Sequence, residues 1–291
     1  MAEEKSSNAL ARNAREAAGY KYYQEKVTDA LNVDLGYGDG YWHHHFAVGD
    51  FDRSILSLTA PRREREIQQE IHRMETRQVE TLKELLAPLG PTDRVLDAGS
   101  GRGGSAFLIH KAFGCRIDGV NFVAHQNEFA RDQAEKHGYT SMVEFHDRSM
   151  TDTGLPASSF DAVYTNETTM FVYLDEALAE FARLLKEDGR YVLTTWCVND
   201  SAGKTPSEAE AIDAHYACHT HRRSEYLRAL LNAGLIPYQI DDLTKQAIPY
   251  WELRDQSSLA TGIEAAYLSG YRADSINYMR IACRKRAQSG S

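Results

Sequence analysis

The sequence predicts an α/β fold, a doubly wound and mostly parallel seven-stranded sheet with helices on both faces and a helical N-terminal cap. Three observations predict it. From Arg94 onward short apolar runs alternate with helical stretches of about 10 to 15 residues, the rhythm of a parallel sheet wound by helices. A glycine-rich turn, "VLDAGSGRGGS", follows the first of those runs and opens a helix. Before Arg94 the pattern is helical instead. The chain therefore divides into a helical lid over residues 1–90 and a core over 91–291. Segments near 200–221 and 245–270 interrupt the alternation and are expected to cap the sheet's carboxyl edge.

Taken in order, "NALARNAREAAGYKYYQEKVTDALN" predicts a helix over 7–32. Its apolar stripe, Leu10, Ala14, Ala18 and Tyr22, is weak, so it needs a surface to lie on. "LGYGDGYW" breaks it. A second helix from about Pro61 to Leu86 carries Ile67, Ile71, Met74, Val79 and Leu82 on one stripe, and "LGPTD" stops it. Then "RVLDAG" predicts a strand and "GGSAFLIHKAFG" a helix, "CRIDGVN" a strand and "VAHQNEFARDQAEKHG" a helix. "VEFHD" and "FDAVYTNE" are strands, "LDEALAEFARLLKEDG" a helix and "RYVLTTWC" a strand. "RSEYLRALLNAG" predicts a helix, and "IPYQIDDLT" and "INYMRIACRK" the last two strands.

Composition excludes several classes. With 291 residues, 42% of them hydrophobic, the chain can build a large core. It has no 18-residue apolar run to span a membrane and no apolar stretch in its first residues to act as a secretion signal. Four scattered cysteines without CxxC pairing read as reduced thiols, and a cytoplasmic location is expected. A net charge of −9 argues against nucleic-acid partners.

In the glycine turn, Gly99, Gly101 and Gly103 permit a tight bend and close approach of a ligand to the backbone. Asp97, two residues before the first glycine, would repel a pyrophosphate but attract an ammonium. D-x-G-x-G-x-G resembles motif I of the S-adenosylmethionine-dependent methyltransferases, whose ligand carries an amino acid and a sulfonium. The resemblance implies a class I, Rossmann-like methyltransferase with S-adenosylmethionine as cofactor. It also implies ribose contacts from Asn121, aided by Gln126, and an adenine site around Asp147 to Met150.

Four further strings narrow the likeness: "GYWHHHFAVG", "NETTMFVYL", "AHYACHTHRRSEYLRAL" and "IPYWELRDQSSLATGIEAAY", together with the glycine turn itself. They resemble the geranyl diphosphate C-methyltransferases and their relatives from about Asn32 to the last strand. That resemblance implies a chemistry in which a carbon–carbon double bond takes the methyl group and becomes a tertiary carbocation. Such a site must surround the cation with aromatic faces and exclude water. The resemblance makes Glu167 the proton acceptor or the electrostatic anchor, and Tyr216 the cation-facing aromatic. Tyr41, Trp42, Phe46, Trp196 and Tyr250 are candidates for the rest of the wall. His43-His44-His45 belongs to the cap over the cofactor, His44 among the pocket residues; a contiguous triplet does not close on one ion, so no metal is expected.

Two departures bear on the substrate. Phe46 stands where the diphosphate-using relatives carry a tyrosine, and Ser207-Glu208 lie where those relatives place a pocket tryptophan. Asn32 and Arg254 match, so an anionic head stays open. The departures resemble the C-methyltransferases of teleocidin-type indole-terpenoid biosynthesis, which implies a monoterpene arm on an indole alkaloid, with cation-driven cyclisation. Geranyl diphosphate with Mg²⁺ is the alternative, and a non-catalytic S-adenosylmethionine-binding partner protein the remote one. Tyr20, Tyr22 and Tyr23 load the first helix with aromatics. It is expected to lay Tyr22 or Tyr23 over the substrate, in a homo-oligomer that exchanges this helix between subunits.

Overall fold

The computed structural model describes residues 10–26 and 33–286. Its helices are α1 (Ala14–Gln24), α2 (Arg62–Leu86), α3 (Gly104–Phe113), α4 (Ala124–His137), α5 (Leu174–Leu184), α6 (Ser207–Tyr216), α7 (Arg223–Asn232), α8 (Thr244–Arg254) and α9 (Glu264–Arg272). Its strands are β1 (Arg94–Ala98), β2 (Arg116–Asn121), β3 (Val143–Asp147), β4 (Phe160–Asn166), β5 (Leu185–Val198), β6 (Leu235–Asp242) and β7 (Ile276–Lys285). They form one sheet in the order β3-β2-β1-β4-β5-β7-β6, parallel except for β7, which runs antiparallel to both neighbours.

Strand periodicity sorts the core. Leu96, Val163 and Leu193 face one side and pack with α5 and α7, while Val95, Ala162 and Val192 face the other with α2, α3 and α4. Chain direction across the sheet reverses between β1 and β4. Their carboxyl ends therefore open a crevice, where ligands bind in doubly wound sheets. Helix α2 bridges sheet and cap: Val79 and Leu82 pack on the sheet, whereas Ile67, Ile71 and Met74 join Phe46, Trp196, Tyr250 and Trp251 above it.

Two elements differ from their expected bounds. Within the expected helix 7–32, the helical part is α1, started by Asn13, whose side chain accepts from the Arg15 and Glu16 N–H groups; residues 7–9 and 27–32, with Asn32, lie outside the described residues. The helix expected through "LLKEDG" ends at Leu184 instead. Buried Leu185 pairs with Phe160 across a register shift, which draws the chain into β5 five residues early.

Candidate active site

Two adjoining cavities lie at the crevice. The first, about 740 Å³, is lined by the glycine turn and the ends of β2 and β4; the second, about 680 Å³, is roofed by α1, α6 and α8. Tyr23, His44, His45, Glu167 and Phe171 line both.

Asp97, Gly99, Gly101, Asn121, Gln126 and Met150 line the first cavity. Three buried polar atoms of its walls, Asp97 Oδ2, Ser100 Oγ and Gln126 Nε2, have no hydrogen-bond partner in the protein. Buried orphans of this kind mark a site built for a polar ligand. Burial lifts the Asp97 carboxyl to about 7, with Tyr164 opposing. Gln126 Oε1 is taken by the Asn121 amide at 2.9 Å, so the Gln126 amino group is the end left over. Gly101 sits at φ +53°, and a side chain there would project against the His44 ring at 3.6 Å. An ammonium fits against Asp97, and ribose hydroxyls fit the Asn121–Gln126 pair. The residues present thus suit S-adenosylmethionine.

Gly103 and Asp147 fall outside this wall. Gly103 is the N-cap of α3, with Phe145 and Phe107 packed where a side chain would go. Asp147 turns away to bind Asn127 at 2.7 Å and Arg131 at 2.7 Å. Ser100, Arg102, Phe122, Arg148 and Thr168 line the cavity without having been singled out from sequence.

Glu167 stands at the junction. It follows β4 directly, in the left-handed region, φ +57°, a conformation that costs a non-glycine residue about 1–3 kcal/mol and recurs at functional sites. Its N–H is held by the Thr194 carbonyl at 2.9 Å. One carboxylate oxygen accepts from the Phe46 N–H at 3.0 Å and the other from the Tyr278 hydroxyl. Burial pushes this carboxyl up to about 8, although both hydrogen bonds pull the other way, with Glu75 adding to the rise.

Phe46, Trp196, Tyr216, Tyr250 and Arg254 line the second cavity, with Tyr22 and Tyr23 of α1 on its lid side. Phe46 is central: its ring centroid lies 5.2 Å from that of Trp196, 6.0 Å from Tyr216 and 6.3 Å from Tyr250. Arg254 is buried and already paired, with Glu264 at 2.9 Å and the Tyr250 hydroxyl at 3.3 Å. Lys26, Glu75, Phe171, His215 and Thr261 complete the lining.

The segment 41–46 carries no regular secondary structure, and its side chains divide between the cavities and the core. Tyr41 is buried in the core on the α3–α4 side, stacked on His137 at 5.3 Å and bonded by Lys111, away from both cavities. Trp42 lines the cofactor side, not the substrate wall, with its indole N–H on the Val33 carbonyl at 2.9 Å. The histidines form a chain: Thr76 Oγ1 with His43 Nε2, His43 Nδ1 with His45 Nε2, and His45 Nδ1 with the Phe46 carbonyl. The carbonyl can only accept, so His45 donates from Nδ1 and accepts at Nε2, which sets His43 as donor at Nδ1. Burial holds all three imidazoles low, His45 at about 4, and keeps them neutral. His44 Nε2 accepts from Arg102, which anchors the triplet over the glycine turn.

Helix α1 covers the crevice of its own chain. Glu16 takes hydrogen bonds from Ser149 and Thr151, Arg15 bonds the Val172 carbonyl, and Tyr23 packs edge-on to Phe171. Among the described residues no helix is long and apolar enough to cross a membrane.

A methyltransferase-domain model matches residues 96–193. The geranyl diphosphate 2-C-methyltransferase of Saccharopolyspora erythraea is 42% identical over 89% of this chain and 91% of its own length. That of Streptomyces ambofaciens is 38% identical over 97% of this chain and 99% of its own. The crystal structure of the Streptomyces coelicolor geranyl diphosphate C-methyltransferase, with Mg²⁺, geranyl-S-thiolodiphosphate and S-adenosyl-L-homocysteine, covers 94% of this chain and 99% of its own, at 37% identity and a TM-score of 0.91. The chain is a methyl-transferring enzyme that uses S-adenosylmethionine, and it belongs to the geranyl diphosphate C-methyltransferase family.

Proposed function

We propose that the enzyme methylates a carbon of a prenyl double bond, and that its preferred acceptor is the monoterpene arm of a teleocidin-type indole alkaloid, followed by cation-driven cyclisation. The observation that carries the reaction is Glu167, a strained and buried carboxyl on the wall shared by a polar cavity and an aromatic one. When bound, S-adenosylmethionine supplies an electrophilic methyl group on a positively charged sulfur. Asp97 holds the ammonium of that ligand, and Asn121 and Gln126 its ribose. Phe46, Trp196 and Tyr216 offer ring faces to the positive charge that develops on the alkene, and they leave it no water. Glu167 gives the counter-charge. Residues 1–90 and the segments near 200–221 and 245–270 act as the cap, with Tyr22 and Tyr23 closing the acceptor side. We place the working enzyme in a homo-oligomer and in the cytoplasm.

The neutral head is favoured by charge. Arg254 is neutralised by Glu264, the cavity already holds Glu75 and Glu167, and Phe46 has no hydroxyl to serve a diphosphate or its metal. A diphosphate there would need a divalent ion. The second reading, geranyl diphosphate with Mg²⁺, rests on the names of the relatives and on Lys26 and Arg254 in the same cavity. Mass spectrometry after offering each acceptor with and without Mg²⁺ separates them. The indole alkaloid gains one methyl group without the ion if the first reading holds; methylation of geranyl diphosphate alone, dependent on Mg²⁺, replaces it with the second.

A further inference from the structure

Helix α2 turns an apolar stripe to the core, yet His72 and Glu75, one turn apart on it, are ionisable and mostly buried, with side chains 13% and 6% exposed. They face different spaces. Glu75 lines the aromatic cavity, while His72 and Asp39 line a separate outer cavity of about 670 Å³. Glu75 Oε1 accepts from the Tyr250 hydroxyl at 2.8 Å. Its Oε2 faces His72 Nδ1 at 4.0 Å, and that nitrogen is buried without a hydrogen-bond partner. The other nitrogen of His72, Nε2, reaches Asp39 Oδ1 at 2.9 Å, and the Asp39 side chain is 42% exposed. An approach of about 1 Å would turn the open contact into a hydrogen bond and join the aromatic cavity to solvent through one imidazole. Both partners of Glu167, by contrast, are buried.

Methylation of an alkene leaves a proton to dispose of. The π pair forms the new carbon–carbon bond, the sulfur–methyl bond breaks with its pair retained on sulfur, and a C–H bond then breaks to refill the electron-poor carbon. One proton per turnover is released inside a site built to exclude water. If an indole ring captures the cation, the ring π pair forms the second carbon–carbon bond and one proton leaves instead from the attacked ring carbon as the ring regains aromaticity. We propose that Glu75 accepts this proton and that His72 relays it across α2 to Asp39 and solvent, leaving Glu167 as the counter-charge of the cation. This assignment rests on the alkene-methylation reading.

The electrostatics suit a relay. Burial raises Glu75 to about 7, against the Tyr250 hydrogen bond and the nearby His72 and Arg254. Burial would lower His72, but the Asp39 carboxylate, with Glu75 behind it, raises it overall. Glu75 is thus lifted into the range where imidazoles titrate, so an imidazole can take its proton. The other titratable neighbours include His43, held neutral with its ring 5.3 Å from that of His72, His45, also held neutral, and Glu167 across the cavity from Glu75.

The test compares the first turnover with the steady state by rapid quench, using radiolabelled methyl donor, in wild type, His72→Ala and Asp39→Asn. In His72→Ala the first methyl transfer stays within about twofold, while steady-state turnover falls about tenfold or more, the scale of losing one positioned proton carrier. The steady-state solvent deuterium isotope effect rises, and added imidazole, entering from the outer cavity, restores the rate. Should His72→Ala fail to fold by circular dichroism, Asp39→Asn carries the test, with the same split and about a threefold loss. Unchanged steady-state rates in the folded variants would overturn the relay. So would equal losses in both phases without imidazole rescue, which mark a structural role. Absence of methyl transfer in wild type would instead sink the proposed function.

Discussion

Binding of S-adenosylmethionine should release protons in an amount that identifies Glu167. Burial holds Glu167 at about 8 and Asp97 at about 7 in the ligand-free protein. At pH 7, Glu167 is therefore about 0.9 protonated and Asp97 about half. An ammonium against Asp97 ionises it and releases about 0.5 proton, whether the ligand is S-adenosylmethionine or S-adenosylhomocysteine. Only the former carries the sulfonium. A unit charge about 5 Å away at an effective dielectric near 20 contributes about 3 kcal/mol, or about two pKa units. That shift takes Glu167 below 7 and releases most of its proton. Isothermal titration calorimetry in buffers of different ionisation enthalpy reads the count directly. The expected values are about 1.3 protons for the methionine ligand and about 0.5 for the homocysteine ligand, the gap closing in Glu167→Gln. Equal proton release by the two ligands in wild type would refute the placement of Glu167 beside the reacting methyl.

Other consequences are equally concrete. Glu167→Gln should keep cofactor affinity while turnover falls about 100-fold or more, the scale of losing a positioned counter-charge. Its folded carboxyl, at about 8, binds a proton more tightly than the ordinary 4.5, so the folded state holds extra protons between those values. Wild-type stability therefore declines relative to Glu167→Gln as pH climbs through that window, visible in melting temperatures taken from pH 4 to 9. Asp97→Ala and Gly101→Val should each abolish S-adenosylhomocysteine binding in calorimetry, one by removing the ammonium's partner and the other by filling the turn. Tyr216→Ala should slow the reaction and divert products toward early-quenched species in a chromatographic profile. Removing residues 1–26 should spare cofactor binding but raise KM and lower turnover; a truncated enzyme of full activity would show that α1 is no lid.

What the sequence made legible follows from how locally each feature is encoded. The strand–helix alternation after Arg94 reads well because each unit carries its own period and glycine punctuation. Asp97, Gly99 and Gly101 come from one turn, and Asn121 and Gln126 from the next strand and its helix, so sequence neighbours become cavity neighbours. Phasing was harder. Tyr41 and Trp42 are adjacent aromatics, and composition does not say which one meets the cavity; His137 takes the first and the cavity the second. Asp147 shares a strand end with the cavity but is captured by Arg131 and Asn127. Glu75 and Tyr278 reach the site from α2 and β7, far along the chain, and nothing near Glu167 announces them. A signal did exist for Glu75: a carboxyl four residues after Ile71, on the stripe that also carries Met74, is an anomaly in a face whose other buried residues are apolar except Gln78.

The central claim is that the methyl group goes to carbon at a prenyl double bond. Its most direct test is nuclear magnetic resonance of the product made with S-adenosylmethionine labelled with ¹³C in its methyl group. The expected product carries the labelled methyl coupled to a former alkene carbon of the monoterpene arm. A label attached to nitrogen or oxygen, or left on the unreacted donor with every prenyl acceptor, would contradict it.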